Sequence, residues 1–328
     1  MPEGHSVHRL ARQFSDVFGG AQLVVSSPQG KFTAGAARLD GHVLERAQAH
    51  GKQMFLFFSH DLVMRVHLGL YGAWDFGGDS TFTGASSIGA PRRIGEQEVA
   101  GGDSAGGGDG YDGPPEPKGA VRVRLVSEHG WADLRGPTAC EVLTPQETAA
   151  VRGKLGPDPL NNYPGDRDEF VRRIRTSSTG IGLQLMKQEV LAGVGNVYRA
   201  ESLFRAGLDP RLPGRVLHRD AAEALWDDIL AIMGDGVRDG RIITTELADR
   251  PSGLGVGVGL APGWPHDGGS PGTASGPGAS NPNTRVPVED AHYVYKRQGR
   301  PCRHCGTEIA VAELAGRKLY WCPGCQGG

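Results

Sequence analysis

The strongest constraint on the fold lies near the C-terminal end, where Cys302-Pro-Arg-Cys305 is followed after 16 residues by Cys322-Pro-Gly-Cys325. Two Cys-x-x-Cys pairs at this separation match the zinc-ribbon pattern, in which each pair gives two thiolates to one tetrahedral ion. Two disulfides are the alternative. The N-terminus, however, has no basic region followed by an apolar stretch, so the chain reads as cytosolic, and a cytosolic chain keeps its thiols reduced. One structural Zn2+ is therefore expected on Cys302, Cys305, Cys322 and Cys325. Four thiolates leave the ion no open position, so it holds a β-hairpin together and does no chemistry. Between the pairs, Ala315-Gly316-Arg317 reads as the hairpin turn. Arg317 at its tip either grips phosphate or is simply solvated. Cys140 has no partner and reads as a small core residue.

The opposite end carries a second signal. Removal of Met1 from Met1-Pro2-Glu3-Gly4 leaves proline with a free secondary amine. An α-amino group has a pKa of about 7.7 to 8.0, so near neutrality a useful fraction is unprotonated and nucleophilic. Such an amine can form a Schiff base with a carbonyl or an opened sugar, and Glu3 beside it can carry protons. A cut-back terminus with no function is the competing reading. Val7, Leu10, Ala11, Phe14, Val17 and Phe18 recur at helical spacing, so the amine leads straight into an amphipathic helix.

From there to about residue 140, short segments rich in β-branched and aromatic residues predict a β-sandwich: 22–26, 43–49, 53–59, 62–68, 72–76, 121–127 and 130–134. From Thr144 the pattern turns helical. Thr144-Pro-Gln-Glu147 is a capping signature, and 169–175, 183–191, 197–206 and 220–233 carry apolar residues at helical spacing. In Gly193-Val-Gly-Asn196, two glycines permit a tight turn and Asn196 reads as an N-cap. The amides there make a ready phosphate site, or a simple turn between packed helices.

Glycine, at 52 of 328 residues, crowds into tracts 77–119 and 251–283, both read as flexible insertions. The formal net charge of -2 argues against a nucleic-acid partner only if taken as an average. Tract 77–119 holds seven acids against three bases, whereas the stretch from Ala291 is basic, with Lys296, Arg297, Arg300, Arg303, Arg317 and Lys318 against Glu308 and Glu313. The domain reading is thus 1–140 as a β-sandwich with a flexible insertion at about 77–119. A helical domain follows at 144–245, a Gly/Pro-rich loop at 251–283 and a zinc-finger hairpin at 291–328. The fold class is α+β. No stretch is apolar enough to span a membrane.

Taken in order, Met1-Pro2-Glu3-Gly4, Gly51-Lys52, His67-Leu-Gly-Leu70-Tyr71-Gly, Leu155-Gly-Pro-Asp158-Pro-Leu, Gly193-Val-Gly-Asn196 and the cysteine ribbon resemble the formamidopyrimidine-DNA glycosylase and endonuclease VIII family. The resemblance covers nearly all of the chain apart from the two glycine tracts. It implies a bifunctional DNA glycosylase/AP lyase of base excision repair, with a helix-two-turn-helix domain. Pro2 is then the nucleophile that forms the Schiff base with the damaged nucleoside, and Glu3 the proton carrier. Lys52 assists base loss and elimination, and strand cleavage follows by β,δ-elimination. Asn196 and Arg317 become phosphate clamps, with Arg317 also acting in δ-elimination. Arg135 reaches toward the orphaned base, and Leu70 with Tyr71 fills the hole left by the flipped base.

The partner implied is damaged double-stranded DNA, or a single strand, bound by a monomer in the cytoplasm at the nucleoid. Pro2-Glu3-Gly4-His5 and Leu70-Tyr71 resemble the endonuclease VIII branch, which implies oxidised pyrimidines as substrates. The same chemistry on oxidised purines (8-oxoguanine, formamidopyrimidine) and a non-catalytic binder of damaged DNA are the alternatives, and the presence of Pro2, Glu3 and Lys52 argues against the binder.

Overall fold

The computed structural model describes residues 2–90, 113–250 and 286–327. The tract at 251–283 and most of the one at 77–119 lie outside the described residues.

Helix α1 (Gly4–Phe18) buries Val7, Leu10, Ala11, Phe14 and Phe18, the stripe its spacing predicts. The Phe14 ring meets Trp74 edge-on, with centroids 4.8 Å apart. Around this stripe stand two antiparallel sheets. The first contains β1 (Val24–Ser26), β5 (Ala73–Gly78), β6 (Ser87–Gly89), β7 (Val121–Val126) and β8 (Gly130–Arg135) in the order β1-β7-β8-β5-β6. The second, in the order β2-β3-β4-β9, contains β2 (Leu44–His50), β3 (Gln53–Phe58), β4 (Leu62–His67) and β9 (Ala139–Leu143). Leu56 and Met64 of the second sheet share one core with Trp74 and Leu134 of the first.

Three elements depart from expectation. Residues 77–90 are not part of an insertion, since β5 continues to Gly78 and β6 pairs with it, Trp74 opposite Ile88. Helix α2 (Thr33–Leu39) and strand β9 were not expected. Neither carries a periodic apolar pattern: α2 buries only Ala36 and Leu39, and β9 only Leu143.

The helical part contains α3 (Pro145–Gly153), α4 (Asp166–Arg175), α5 (Ile181–Gln184), α6 (Asn196–Arg205) and α7 (Arg219–Asp239). The capping box on α3 is formed as expected, with Thr144 and Glu147 each accepting the other's backbone N–H. The helix expected over 183–191 is instead α5 followed by turns. The Gln188 carbonyl accepts from Gly156 N, and the Gln188 side chain accepts from Gly193 N and donates to Val194 O, so this segment's polar groups are spent on neighbouring loops. At the C-terminal end, β10 (Ala310–Leu314) and β11 (Arg317–Trp321) form a hairpin followed by α8 (Pro323–Gln326). Leu314 pairs with Arg317 across a two-residue turn in which Ala315 and Gly316 both have positive φ, the twist that matches hairpin strands.

Helix α6 lies between these parts. Leu203 belongs to the helical core with Phe170 and Trp226, while Ala200 and Phe204 pack on Tyr293, Cys302, Ile309 and Tyr320 of the zinc hairpin region. Its fully buried Glu201 accepts from Tyr293 N, Val294 N and Tyr295 N at 2.7 to 2.9 Å.

Candidate active site

The N-terminus threads into the junction of these parts. Gly4 N donates to Gly193 O at 2.9 Å, and a Cβ on Gly4 would sit 2.9 Å from Gly193 Cα, so only glycine permits this approach. Glu3, fully buried, places its carboxylate on the start of α6. Oε2 accepts from Gly195 N at 2.8 Å and from Tyr198 N at 3.4 Å, and Oε1 from Val197 N at 2.9 Å. Unpaired amides at a helix start favour an anion. The anion here is a side chain of the protein itself, so of the two readings of Gly193-Val-Gly-Asn196 the open phosphate site is not the one these amides form. The N-cap is Gly195 rather than Asn196.

Pro2, the neighbour of Glu3, lines a cavity of about 240 Å³ whose wall also includes Lys52, His67, Leu70, Arg199 and Arg317. Lys52, at the start of β3's approach from the β2–β3 turn, donates from Nζ to Val194 O at 2.7 Å. Burial lowers its pKa below the ordinary lysine value, Glu3 opposes that shift and Arg317 adds to it. His67 is also pushed down, first by burial and then by Lys52 and Arg65, so it favours the neutral ring.

Leu70 and Tyr71 do not join a core: they are 47% and 80% exposed, and Leu70 stands on the cavity wall. Asn196 donates from Nδ2 to Lys318 O at 3.0 Å and accepts from Arg199 Nη2, tying the start of α6 to β11. Arg135, on β8, forms an ion pair with Asp75 on β5 and is not among the residues lining the cavity. Sequence reasoning assigned no role to His67, Gln188 or Arg199, although all three line the cavity. The signal for Arg199 was its position three residues after Asn196, on the same helix face.

The four cysteine Sγ atoms lie within 4.8 Å of one another, with Cys302 and Cys325 at 3.8 Å and Cys305 and Cys322 at 3.4 Å. Zn–S bonds of about 2.3 Å in a tetrahedron place sulfurs roughly 3.8 Å apart, so the donor set and its spacing fit one structural zinc. The ion braces the hairpin that presents Arg317.

Sequence profiles match along most of the chain: the formamidopyrimidine-DNA glycosylase N-terminal domain over residues 1–132, the H2TH domain of the same glycosylase over 155–247, and a zinc finger found in FPG and IleRS over 299–327. Fold, zinc hairpin and profiles together define a DNA glycosylase/AP lyase of base excision repair. "Endonuclease 8 1" of Mycobacterium tuberculosis is 40% identical over 326 residues, spanning 99% of this chain and 100% of that protein. The formamidopyrimidine-DNA glycosylase of Thermus thermophilus is 30% identical over 178 residues, 53% of this chain and 54% of that protein.

This chain belongs to the formamidopyrimidine-DNA glycosylase and endonuclease VIII family. Among solved structures, a complex of wild-type Lactococcus lactis Fpg with N7-benzyl-Fapy-dG DNA superposes with TM-score 0.67 at 18% identity, covering 100% of both chains. A complex of that enzyme with abasic-site DNA gives 0.66 at 18%, covering 99% of this chain and 100% of the other. At such identity these two likenesses speak for the fold alone. Among the described residues, no helix is long and apolar enough to cross a membrane.

Proposed function

We propose that this enzyme removes oxidised pyrimidines, thymine glycol and dihydrouracil among them, in preference to 8-oxoguanine, using Pro2 as its nucleophile. The observation that carries the reading is the convergence of Pro2, Lys52 and Arg317, from three distant stretches of sequence, on one cavity, with Glu3 next to Pro2 in the chain. The free amine of Pro2 attacks C1′ of a flipped-out nucleoside, the C1′–base bond breaks, and the base leaves with a proton. Glu3 then gives a proton to O4′ as the C1′–O4′ bond opens, which converts the Pro2–C1′ bond into an iminium; the 2′ protons become acidic, and loss of the 3′ and then the 5′ phosphate completes β,δ-elimination.

Glu3, oriented by three backbone amides, moves protons to and from the sugar, and Lys52 supplies a second amine that burial makes readier to give up its proton than an ordinary lysine. Arg317 and Asn196 hold phosphate, Arg317 assisting the δ step. Leu70 and Tyr71, exposed at the rim, fill the gap in the duplex, and Arg135 faces the orphaned base. The pyrimidine preference rests on Pro2-Glu3-Gly4-His5, on the Leu70-Tyr71 wedge and on the 40% identity to a protein named "Endonuclease 8 1".

Borohydride trapping on abasic DNA tests the chemistry: a covalent adduct forms with wild type, maps to the Pro2 nitrogen by peptide mass analysis, and is lost in protein that retains a residue ahead of Pro2. An adduct that maps to another residue overturns the mechanism. Single-turnover excision of thymine glycol against 8-oxoguanine tests the preference, and faster removal of 8-oxoguanine refutes it.

A further inference from the structure

Arg199 is the largest charged side chain sealed inside the protein, with no measurable exposure, and it stands on the wall of the cavity that holds Pro2. Its Nη2 is occupied, donating to Lys318 O at 2.9 Å and to Asn196 Oδ1. Its Nε and Nη1 are buried and bond no atom of the described residues. Buried donors are almost always paired, and a buried guanidinium left with unused N–H groups is costly. Burial draws its pKa down to about 10, with Arg317 acting in the same sense and Glu3 opposing, so it stays charged at neutral pH. The Glu3 carboxylate, whose charge acts on both Lys52 and Arg199, is engaged by three backbone amides. Lys52, Arg199 and Arg317 thus surround a space whose natural occupant is an anion.

We propose that Arg199 is a further substrate contact, whose Nε and Nη1 donate to the oxygens of a phosphodiester beside the reacting nucleoside once DNA enters the cavity. This rests on the reading of the Pro2 cavity as the place where the strand is cut. Nη2, bound to β11 and to Asn196, fixes the guanidinium, so the contact is made by a donor set already oriented by the zinc hairpin.

The test uses full-length zinc-loaded protein and a duplex carrying a tetrahydrofuran abasic analogue, with Kd measured across salt concentrations. Each phosphate contact adds roughly 0.9 to the slope of log K against log salt. For Arg199→Ala the slope is expected to fall by about 1 and affinity at low salt by roughly tenfold. Zinc content and Tm should stay close to wild type. Arg199→Lys, which keeps the charge, should keep the slope.

If Arg199→Ala does not fold, Arg199→Gln, neutral but able to donate to Lys318 O, carries the same expectation. An unchanged slope in the neutral variants, whether or not affinity falls, overturns the proposal and leaves Arg199 as a brace for the hairpin. Borohydride trapping of wild type, run in parallel, separates the two ideas: absence of an adduct sinks the Pro2 reading, whereas an adduct with an unchanged salt slope sinks only the role of Arg199.

Discussion

Gly195 shows how narrowly the Glu3 carboxylate is placed. A Cβ at this position would lie 2.4 Å from Glu3 Cδ, closer than real contacts allow, so Gly195→Ala must expel the carboxylate from the start of α6. The variant is expected to fold, because α6 begins only after this residue, yet to trap abasic DNA about 10²-fold more slowly, the low end of what a positioned proton carrier contributes. Rapid-quench trapping with a parallel thermal melt checks this, and wild-type trapping would show that Glu3 is not needed where it sits.

His5, the second residue of α1, makes a second residue-scale prediction. Burial, with Arg9 adding to it, lowers its pKa from 6.5 to about 3, so it is neutral in the folded protein and protonates in the unfolded chain. Between those values the unfolded state binds more protons, so stability rises with pH up to about 6.5 and then flattens. Acidifying from pH 7 to 5 should cost about 2 kcal/mol through this histidine. Urea melts at the two pH values should show it, and His5→Phe should lessen the difference.

Pro2, Glu3 and Lys52 could be singled out as candidates from residue type alone, Pro2 and Glu3 at the start of the chain and Lys52 after Gly51. The occupation of the α6 amides by Glu3 was not legible, because 192 residues separate Glu3 from Gly195 and nothing local relates them.

At the scale of elements, α6 joins the cavity to the zinc hairpin. Its first turn holds Glu3, Asn196 and Arg199 hold Lys318 O, and Glu201 holds the segment leading into the ribbon. Glu201→Ala strands the amides of Tyr293, Val294 and Tyr295. Each buried amide left unpaired costs about 1–3 kcal/mol, so the docking of this segment should fail while the four thiolates still hold zinc. The expected result is a strongly lowered Tm, zinc retained by metal analysis, and weakened binding to abasic-analogue duplex. Full DNA affinity in this variant would mean that the hairpin is held by its other contacts.

Elements with strong periodicity or cap chemistry, such as α1, α3 and the hairpin over 310–321, could be read from sequence. Segment 183–191 could not. Its apolar spacing is helical, but the competition is decided by Gly156 and Gly193, whose N–H groups take the Gln188 carbonyl and side chain.

The whole molecule is closed over its cavity by one buried cluster. Asp158, fully buried at the start of the helical part, accepts at Oδ2 from Gly51 N at 2.7 Å and lies 2.7 Å from His8 Nε2 of α1. Leu160 N and Asn161 Nδ2 also donate to it, at 3.0 and 3.1 Å. One carboxylate therefore ties together the N-terminal helix, the turn that carries Lys52 and the helix-two-turn-helix part.

Removing the carboxylate strands the donors of Gly51, Leu160 and Asn161, and each buried donor left unpaired costs about 1–3 kcal/mol. Asp158→Ala should lower Tm sharply and also free the Gly51-Lys52 turn. Excision of a damaged base should then slow more than binding of the same duplex weakens, a difference that uniform destabilisation does not produce. Burial pushes the Asp158 pKa up, but His8 and the Gly51 N–H outweigh it and leave the pKa below the ordinary 3.8. The stabilisation is thus complete above about pH 4 and is lost only as pH falls through the lower folded value, so it overlaps only the acid end of the window set by His5. A stability profile in which Asp158→Ala changes the limb below pH 4 and leaves the limb between pH 5 and 6.5 to His5 is the expected outcome. Equal loss of binding and excision at neutral pH would reduce Asp158 to a structural tie.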